Sequence, residues 1–435
     1  MTRLHRGPRP LSLARRDALL RSGRLDPAAY RRRLAAHIAG LEPAITAFVS
    51  APAPDDDRVP GAPSYTVKDT IDVAGLPTGL GLRGGRPGTA RHSAGIVAAL
   101  SDRGWVCTGK VTTTECALGT VKPSRNPCYP HVSPAGSSTG SAVSVAAGFC
   151  DASVGSDSGG SLRWPAVYCG VTALRLTPRA DLLRGVHAVA PSMESTGLIT
   201  RTVADLTWLW RRHDLACVAR SDVPAPDRIR FVVSLPGAES IHPEISALIA
   251  RTLAALTAAG HHAERAGLPQ VWQERGPAAE LLAREAHDTF AALAGDPSAA
   301  LGADTRAAIA HGAGIGDARY AELRERQDHA AQRLAALLSG PYDVLVMPLE
   351  TGLPDPAVPA GPPPDTGALP PLGGSDGVSL TLIANFARLP VLALPLTLSS
   401  RRSPLGVQLL AAPGAEHVLL AAGALLEELG RKPHA

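Results

Sequence analysis

Residues 134–170 read PAGSSTGSAVSVAAGFCDASVGSDSGGSLRWPAVYCG. Two turns of small residues frame the stretch, AGSS at 135–138 and SGGS at 158–161. Their serines Ser137 and Ser161 stand 24 residues apart. Small residues let backbone and substrate approach closely, and glycine reaches angles other residues avoid. Between the turns, residues 141–147 predict a small-residue helix suited to close packing, and 153–155 a short strand. Residues 169–176 resume an apolar strand pattern.

The same alternation runs outward on both sides. Residues 62–67 predict a short strand leading into Lys68. Residues 93–103 predict a helix with Ile96, Val97 and Leu100 on one face, and 104–109, GWVCTG, a buried strand. Strand-helix alternation is the mark of an α/β layer fold. Residues 12–50 read as two N-terminal helices, with Pro43 a break point in the second. Residues 52–60 read as a polar linker and 202–218 as helix. From 240 to 338 the chain is almost all helix-forming. Strands follow at 342–347, 391–397 and 406–410, a breaker-rich loop at 352–374, and a closing helix at 415–429. No internal repeat appears.

Composition bounds the function classes. Hydrophobic residues make up 45% and charged residues 19%, a foldable globular balance rather than a disordered one. A net charge of +4 over 435 residues is small. The arginines at 3, 6, 9, 15, 16 and 21 form the most basic stretch. They read as a solvated helix face, since no aromatic-rich basic surface accompanies them, so no nucleic-acid partner is expected. The six cysteines form no CxxC pair and read as reduced core thiols. No compact Cys/His metal site is visible. With no apolar signal core and no membrane-length apolar run, the expectation is a cytoplasmic protein without a membrane partner.

Serine is a weak nucleophile until a base takes its proton. No histidine lies in the two turns. His131 and His187 are nearest in sequence, and local hydrogen bonding is the plainer reading of each. Lys68 can serve if neutral, because burial lowers the ordinary lysine pKa of about 10.4. A second serine could then relay the proton, with Ser137 and Ser161 as the candidates for nucleophile and relay. The plainer alternative is a lysine in an ordinary salt bridge to Asp69 or Asp72. Gly159 and Gly160 before Ser161 allow successive N–H groups to face a developing oxyanion. No phosphate-binding loop motif stands in its proper context. This combination points to acyl transfer, foremost hydrolysis of an amide.

Set beside YTVKDTIDVAG around Lys68, GKVTTTECALG from Gly109, GLITRTVADL from Gly197, IANFARLPVLALPL and SPLGVQLLA, the two turns complete a pattern spanning nearly the whole chain. The chain resembles the amidase signature family. The resemblance implies an α/β fold, a twisted mixed β-sheet covered by helices on both faces. It implies a single domain over 1–435, with 240–338 as a variable helical region within it. It implies Ser161 as nucleophile and Ser137 as bridging serine after a cis peptide bond to Gly136. Lys68 matches the buried base. Ser158, Gly159, Gly160 and Ser161 match the oxyanion-hole turn. Ser138, Asp157 and Arg163 match supporting positions. No cofactor or metal is implied.

Several positions depart from the family pattern. Ala135 and Thr139 replace glycines of GGSSGGS, and GTDTGGS has become GSDSGGS. GKTN has become GKVT at 109–112. The arginine common before the first serine turn is replaced around Val132. Arg388 stands where the family has glycine. An inward Arg388 would select an anionic substrate, while the plainer reading is a solvated loop arginine. The expected activity is hydrolysis of a small or medium carboxamide through a serine acyl-enzyme, releasing ammonia or an amine. Acyl transfer to an amine, the glutaminase subunit of a tRNA-dependent amidotransferase and a noncatalytic scaffold are the alternatives. A homodimer stays open.

Overall fold

A computed structural model of the chain describes residues 11–50, 61–84, 88–221, 224–236, 241–296, 299–357 and 379–431. The linker at 52–60, residues 358–374 of the breaker-rich loop and the arginines at 3, 6 and 9 lie outside these residues. Ten strands form one sheet: β1 Ser64–Lys68, β2 Val106–Val111, β3 Ala152–Ser156, β4 Thr172–Arg175, β5 Thr196–Thr200, β6 Arg230–Val233, β7 His262–Arg265, β8 Val344–Pro348, β9 Val391–Leu398 and β10 Pro404–Leu410. Their order is β2-β1-β3-β5-β4-β9-β10-β8-β6-β7. The sheet is mixed. β1 runs parallel to β2 and β3, and β6 parallel to β7 and β8, while the strands between pair antiparallel.

Helices cover both faces, because neighbouring strand residues point to opposite sides. Leu174 and Leu198 pack in one core with Tyr65, Val67 and the helix residues Ile96, Val97 and Leu100. Ala173 and Ile199, one residue along each strand, pack in a second core with Ala142, Val143 and Val145 of the helix Thr139–Ala146. The fold is the α/β arrangement expected from the sequence.

Strand direction places the site. β1 and β3 are parallel neighbours with Tyr65 opposite Ala152 and Val67 opposite Val154. Their carboxyl ends therefore reach the same sheet edge, bringing Lys68 beside Ser156 and Asp157. β5 runs antiparallel to β3 with Thr196 opposite Ser156. That register brings Glu194 and Ser195, just before β5, to the same edge.

Several expectations change. The 240–338 stretch holds the helices Pro243–Ala258, Arg275–Gly295, Ala303–His311 and Asp317–Ser339, but also the edge strand β7. Its sequence HAER has little strand character; pairing of Arg230 with His262 along β6 imposes the conformation. Pro43 does not break its helix, which runs Pro27–Ile45. Arg16 is not on a solvated face: it is buried and binds Asp151 through both terminal nitrogens, one at 2.8 Å. None of the six cysteines is in a disulfide, yet Cys128 and Cys217 are exposed rather than in the core. Among the described residues no helix is long and apolar enough to cross a membrane, and no group of three or more metal-ligating side chains gathers.

Candidate active site

Lys68 ends β1 and is fully buried. Its ammonium nitrogen lies 2.7 Å from Ser137 Oγ and 3.1 Å from Ser156 Oγ. It pairs with no carboxylate among the described residues. The neighbouring acids are engaged elsewhere: Asp69 with Lys110 at 3.2 Å, and Asp72 with His187 and Thr78. The ordinary salt-bridge reading of Lys68 therefore fails. Burial pushes Lys68 down to about 8, against the opposing pull of Glu194 and Asp157.

The Gly136–Ser137 peptide bond is cis. Ala135 before it has φ +58, the left-handed region a glycine would occupy freely. The second family departure braces the first, since Thr139 Oγ1 donates to the Ala135 carbonyl at 2.8 Å. Ser138 is buried and ties the two turns together. Its N–H donates to the Ser161 carbonyl at 3.0 Å, and its hydroxyl to the Ser156 carbonyl at 3.2 Å. Ser161 is half-buried, and its hydroxyl bonds to no described residue. Lys68, Ser137 and the Ser161 turn thus meet at one sheet edge.

Asp157 follows β3 and is fully buried. It accepts from Arg163 Nε at 2.8 Å and Nη2 at 3.0 Å, from Asn385 Nδ2 at 2.9 Å and from the Gly160 N–H at 2.7 Å. Burial alone would raise its carboxyl, but the Arg163 guanidinium overrides that and holds it well below the usual carboxylate range. Arg163 also reaches Gln408 at 2.7 Å, the Thr381 carbonyl at 3.1 Å and Asn385. The Gly160 N–H is therefore committed to Asp157, a departure from the expectation that it faces the oxyanion. The N–H groups of Ser158, Gly159 and Ser161 find no acceptor among the described residues.

Several residues here do not stand out in the sequence. Glu194, buried, accepts from Ser158 Oγ and from the Val189 N–H at 3.2 Å. Arg175 donates to the carbonyls of Asp157 and Met193. Glu350 follows β8, and Trp164 Nε1 and Ser379 Oγ both meet its Oε1, the latter at 2.8 Å. Thr381 donates to the Gly159 carbonyl. A signal exists for Glu350, an acid that closes the buried apolar run 344–349, but not for Glu194, which lies among polar residues in SMEST. Leu282 and Leu382 flank Gly159, where an added Cβ would lie 3.1 and 3.2 Å from them. Leu282 brings the helix Arg275–Gly295 to the site.

Other candidates sit apart. Arg388 binds Asp328 at 2.6 Å and Gln327 at 2.9 Å. None of its contacts reaches Lys68, Ser137 or Ser161. His131 meets the Arg401 carbonyl at 3.1 Å, and His187 meets Asp72 at 3.1 Å.

Comparison with known proteins identifies the family and the fold. Residues 61–420 match the profile of the Amidase family. The 2-amino-5-chloromuconic acid deaminase of Comamonas testosteroni is 29% identical, over 98% of this chain and 97% of its own length. A glutamyl-tRNA(Gln) amidotransferase subunit of Deinococcus radiodurans is 30% identical, over 84% of this chain and 83% of its own. A crystal structure of an amidase superposes with a TM-score of 0.80 at 25% identity, covering 96% of this chain and 99% of that one. A 6-aminohexanoate cyclic dimer hydrolase shares the fold, with a TM-score of 0.78 at 23% identity over 97% of both chains. The chain belongs to the amidase signature family.

Proposed function

We propose that the chain hydrolyses a small or medium carboxamide through an acyl-enzyme on Ser161, within the amidase-type hydrolase activity of its family. Ser161 Oγ attacks the carbonyl carbon as its proton passes to Ser137 and the Ser137 proton to neutral Lys68. The free N–H groups of the 158–161 turn face the oxyanion. On collapse the C–N bond breaks, and Ser137 returns a proton to the leaving nitrogen, refilled from Lys68. Water then attacks the acyl-enzyme by the same path and restores Ser161.

The observation that carries this reading is the 2.7 Å contact between buried Lys68 and Ser137, with no carboxylate paired to the lysine among the described residues. The apolar contacts of Leu282 and Leu382 beside Gly159 support an uncharged acyl group. The test is release of ammonia or amine from a panel of primary and secondary amides. Wild type should turn over at least one of them and Ser161→Ala none. Equal turnover by both would refute Ser161 as nucleophile.

The 30% identity to an amidotransferase subunit supports a second reading, in which the chain is a glutaminase working with a protein partner. Ammonia release from glutamine only after that partner is added would favour it. Release from simple amides by the isolated chain would favour the first.

A further inference from the structure

Three contacts in series join Glu350 to the turn that precedes Ser161. Glu350 Oε1 and Ser379 Oγ are 2.8 Å apart. Ser379 Oγ and Thr381 Oγ1 are 2.6 Å apart. Thr381 Oγ1 meets the Gly159 carbonyl. All three side chains are buried. Each hydroxyl owns one proton. With Glu350 ionised, two protons must serve three contacts, and one oxygen pair is left facing without a hydrogen.

One more proton, on Glu350 Oε1, resolves the count. Glu350 then donates to Ser379, Ser379 to Thr381, and Thr381 to the Gly159 carbonyl. Ser379 Oγ accepts from Glu350 and from the Thr381 N–H at 3.0 Å, so its lone pairs are also used. Trp164 Nε1 donates to the same Oε1. The other oxygen, Oε2, is buried without a partner among the described residues. An unpartnered carbonyl oxygen there costs far less than half of a carboxylate charge.

The far end of the relay bears on catalysis. The Gly159 carbonyl and the Gly160 N–H belong to one rigid peptide plane. Thr381 holds its carbonyl and Asp157 Oδ1 holds its N–H at 2.7 Å. The plane is thereby clamped from both sides, and the N–H groups of Gly159 and Ser161 flank it. Gly160 has φ +115, and a Cβ there would collide with Thr381 Oγ1. The contact thus requires glycine at this position.

We propose that Glu350 is a positioning residue that works as a neutral acid, heading a one-way hydrogen-bond relay through Ser379 and Thr381 that aims the N–H groups of the 158–161 turn. The proposal rests on the reading of Ser161 as nucleophile. The surroundings agree with it. Burial pushes the Glu350 carboxyl up to about 7, against its contacts with Ser379 and Trp164 and the charge of Arg163, with Asp355 adding to the rise. The Tyr168 hydroxyl, itself pushed up by burial and then by Glu350, is a further titratable neighbour.

Infrared difference spectra of wild type against Glu350→Gln, from mildly acidic to alkaline pH, read this carboxyl without substrate. The expected result is a protonated-acid band that fades as pH rises. A carboxylate band at every pH overturns the proposal, whether or not any amide is turned over. Kinetics supply the second arm, with thermal melts confirming that each variant folds. The side-chain amide introduced by Glu350→Gln donates to Ser379 at every pH, so the alkaline fall in kcat disappears. Thr381→Val cuts the relay and should lower kcat at least about tenfold with KM within about twofold. Wild-type kcat in Thr381→Val overturns the proposal. Absence of turnover and of Ser161 labelling in wild type would refute the hydrolase reading alone, and the infrared result would still decide the state of Glu350.

Discussion

Lys68 Nζ and Ser137 Oγ lie 2.7 Å apart in an interior that gives the lysine two serine hydroxyls and no carboxylate partner among the described residues. A buried ammonium without a counter-ion is costly, and the cost falls when the proton leaves. The same environment that destabilises the charge brings Lys68 down to about 8, which suits it to the proposed role of base.

The sign of the pH dependence follows. Lys68 acts when neutral, and burial brings it from 10.5 down to about 8. The neutral fraction of Lys68 rises with pH through about 8 while that of Glu350 falls through about 7, so their product climbs up to about 7 and declines above about 8. The two limbs together give a narrow bell in kcat. Glu350→Gln should leave only the rising limb. Lys68→Met should lower kcat at least about a hundredfold. A pH-rate profile of the wild type and both variants checks this.

Arg163 and Asp157 form a pair in which neither side chain is exposed. Arg163→Met leaves Asp157 charged and buried with its strongest partner gone. Such a loss costs about 3–5 kcal/mol. Denaturant unfolding should show that drop, together with impaired Ser161 labelling, because Asp157 also holds the Gly160 N–H.

Thr139 and Ala135 both replace family glycines, and they touch each other. The Thr139 hydroxyl satisfies the Ala135 carbonyl next to the Gly136–Ser137 bond. Thr139→Val keeps the volume and removes that donor, which should lower stability by about 1 kcal/mol. A thermal or denaturant midpoint at the wild-type value would show that the hydroxyl does not brace the turn.

The local parts of this site are legible in the sequence, and the distant parts are not. Strand β1 ending at Lys68 and the helix after Ser138 follow from apolar runs and small residues that lie side by side in the chain. The antiparallel strand β5 lies within a family motif, but its GLIT carries no alternation that marks a strand. β7 owes its conformation to its neighbour rather than to its own residues. Glu194, Glu350, Thr381 and Asn385 join the site across sequence gaps that only the sheet register closes. Arg388 shows the converse. Its position in a motif suggests a pocket, but Asp328 and Gln327 on the helix Asp317–Ser339 hold it elsewhere.

In the proposed reaction Ser161 carries the acyl group, activated by Ser137 and Lys68. The most direct measurement is intact mass after incubation with a serine-reactive phosphonate, for wild type, Ser161→Ala and Lys68→Met. One phosphonyl increment is expected on wild type, located at Ser161, with none on Ser161→Ala and much slower labelling of Lys68→Met. Labelling of Ser161→Ala to the same extent as wild type would contradict it.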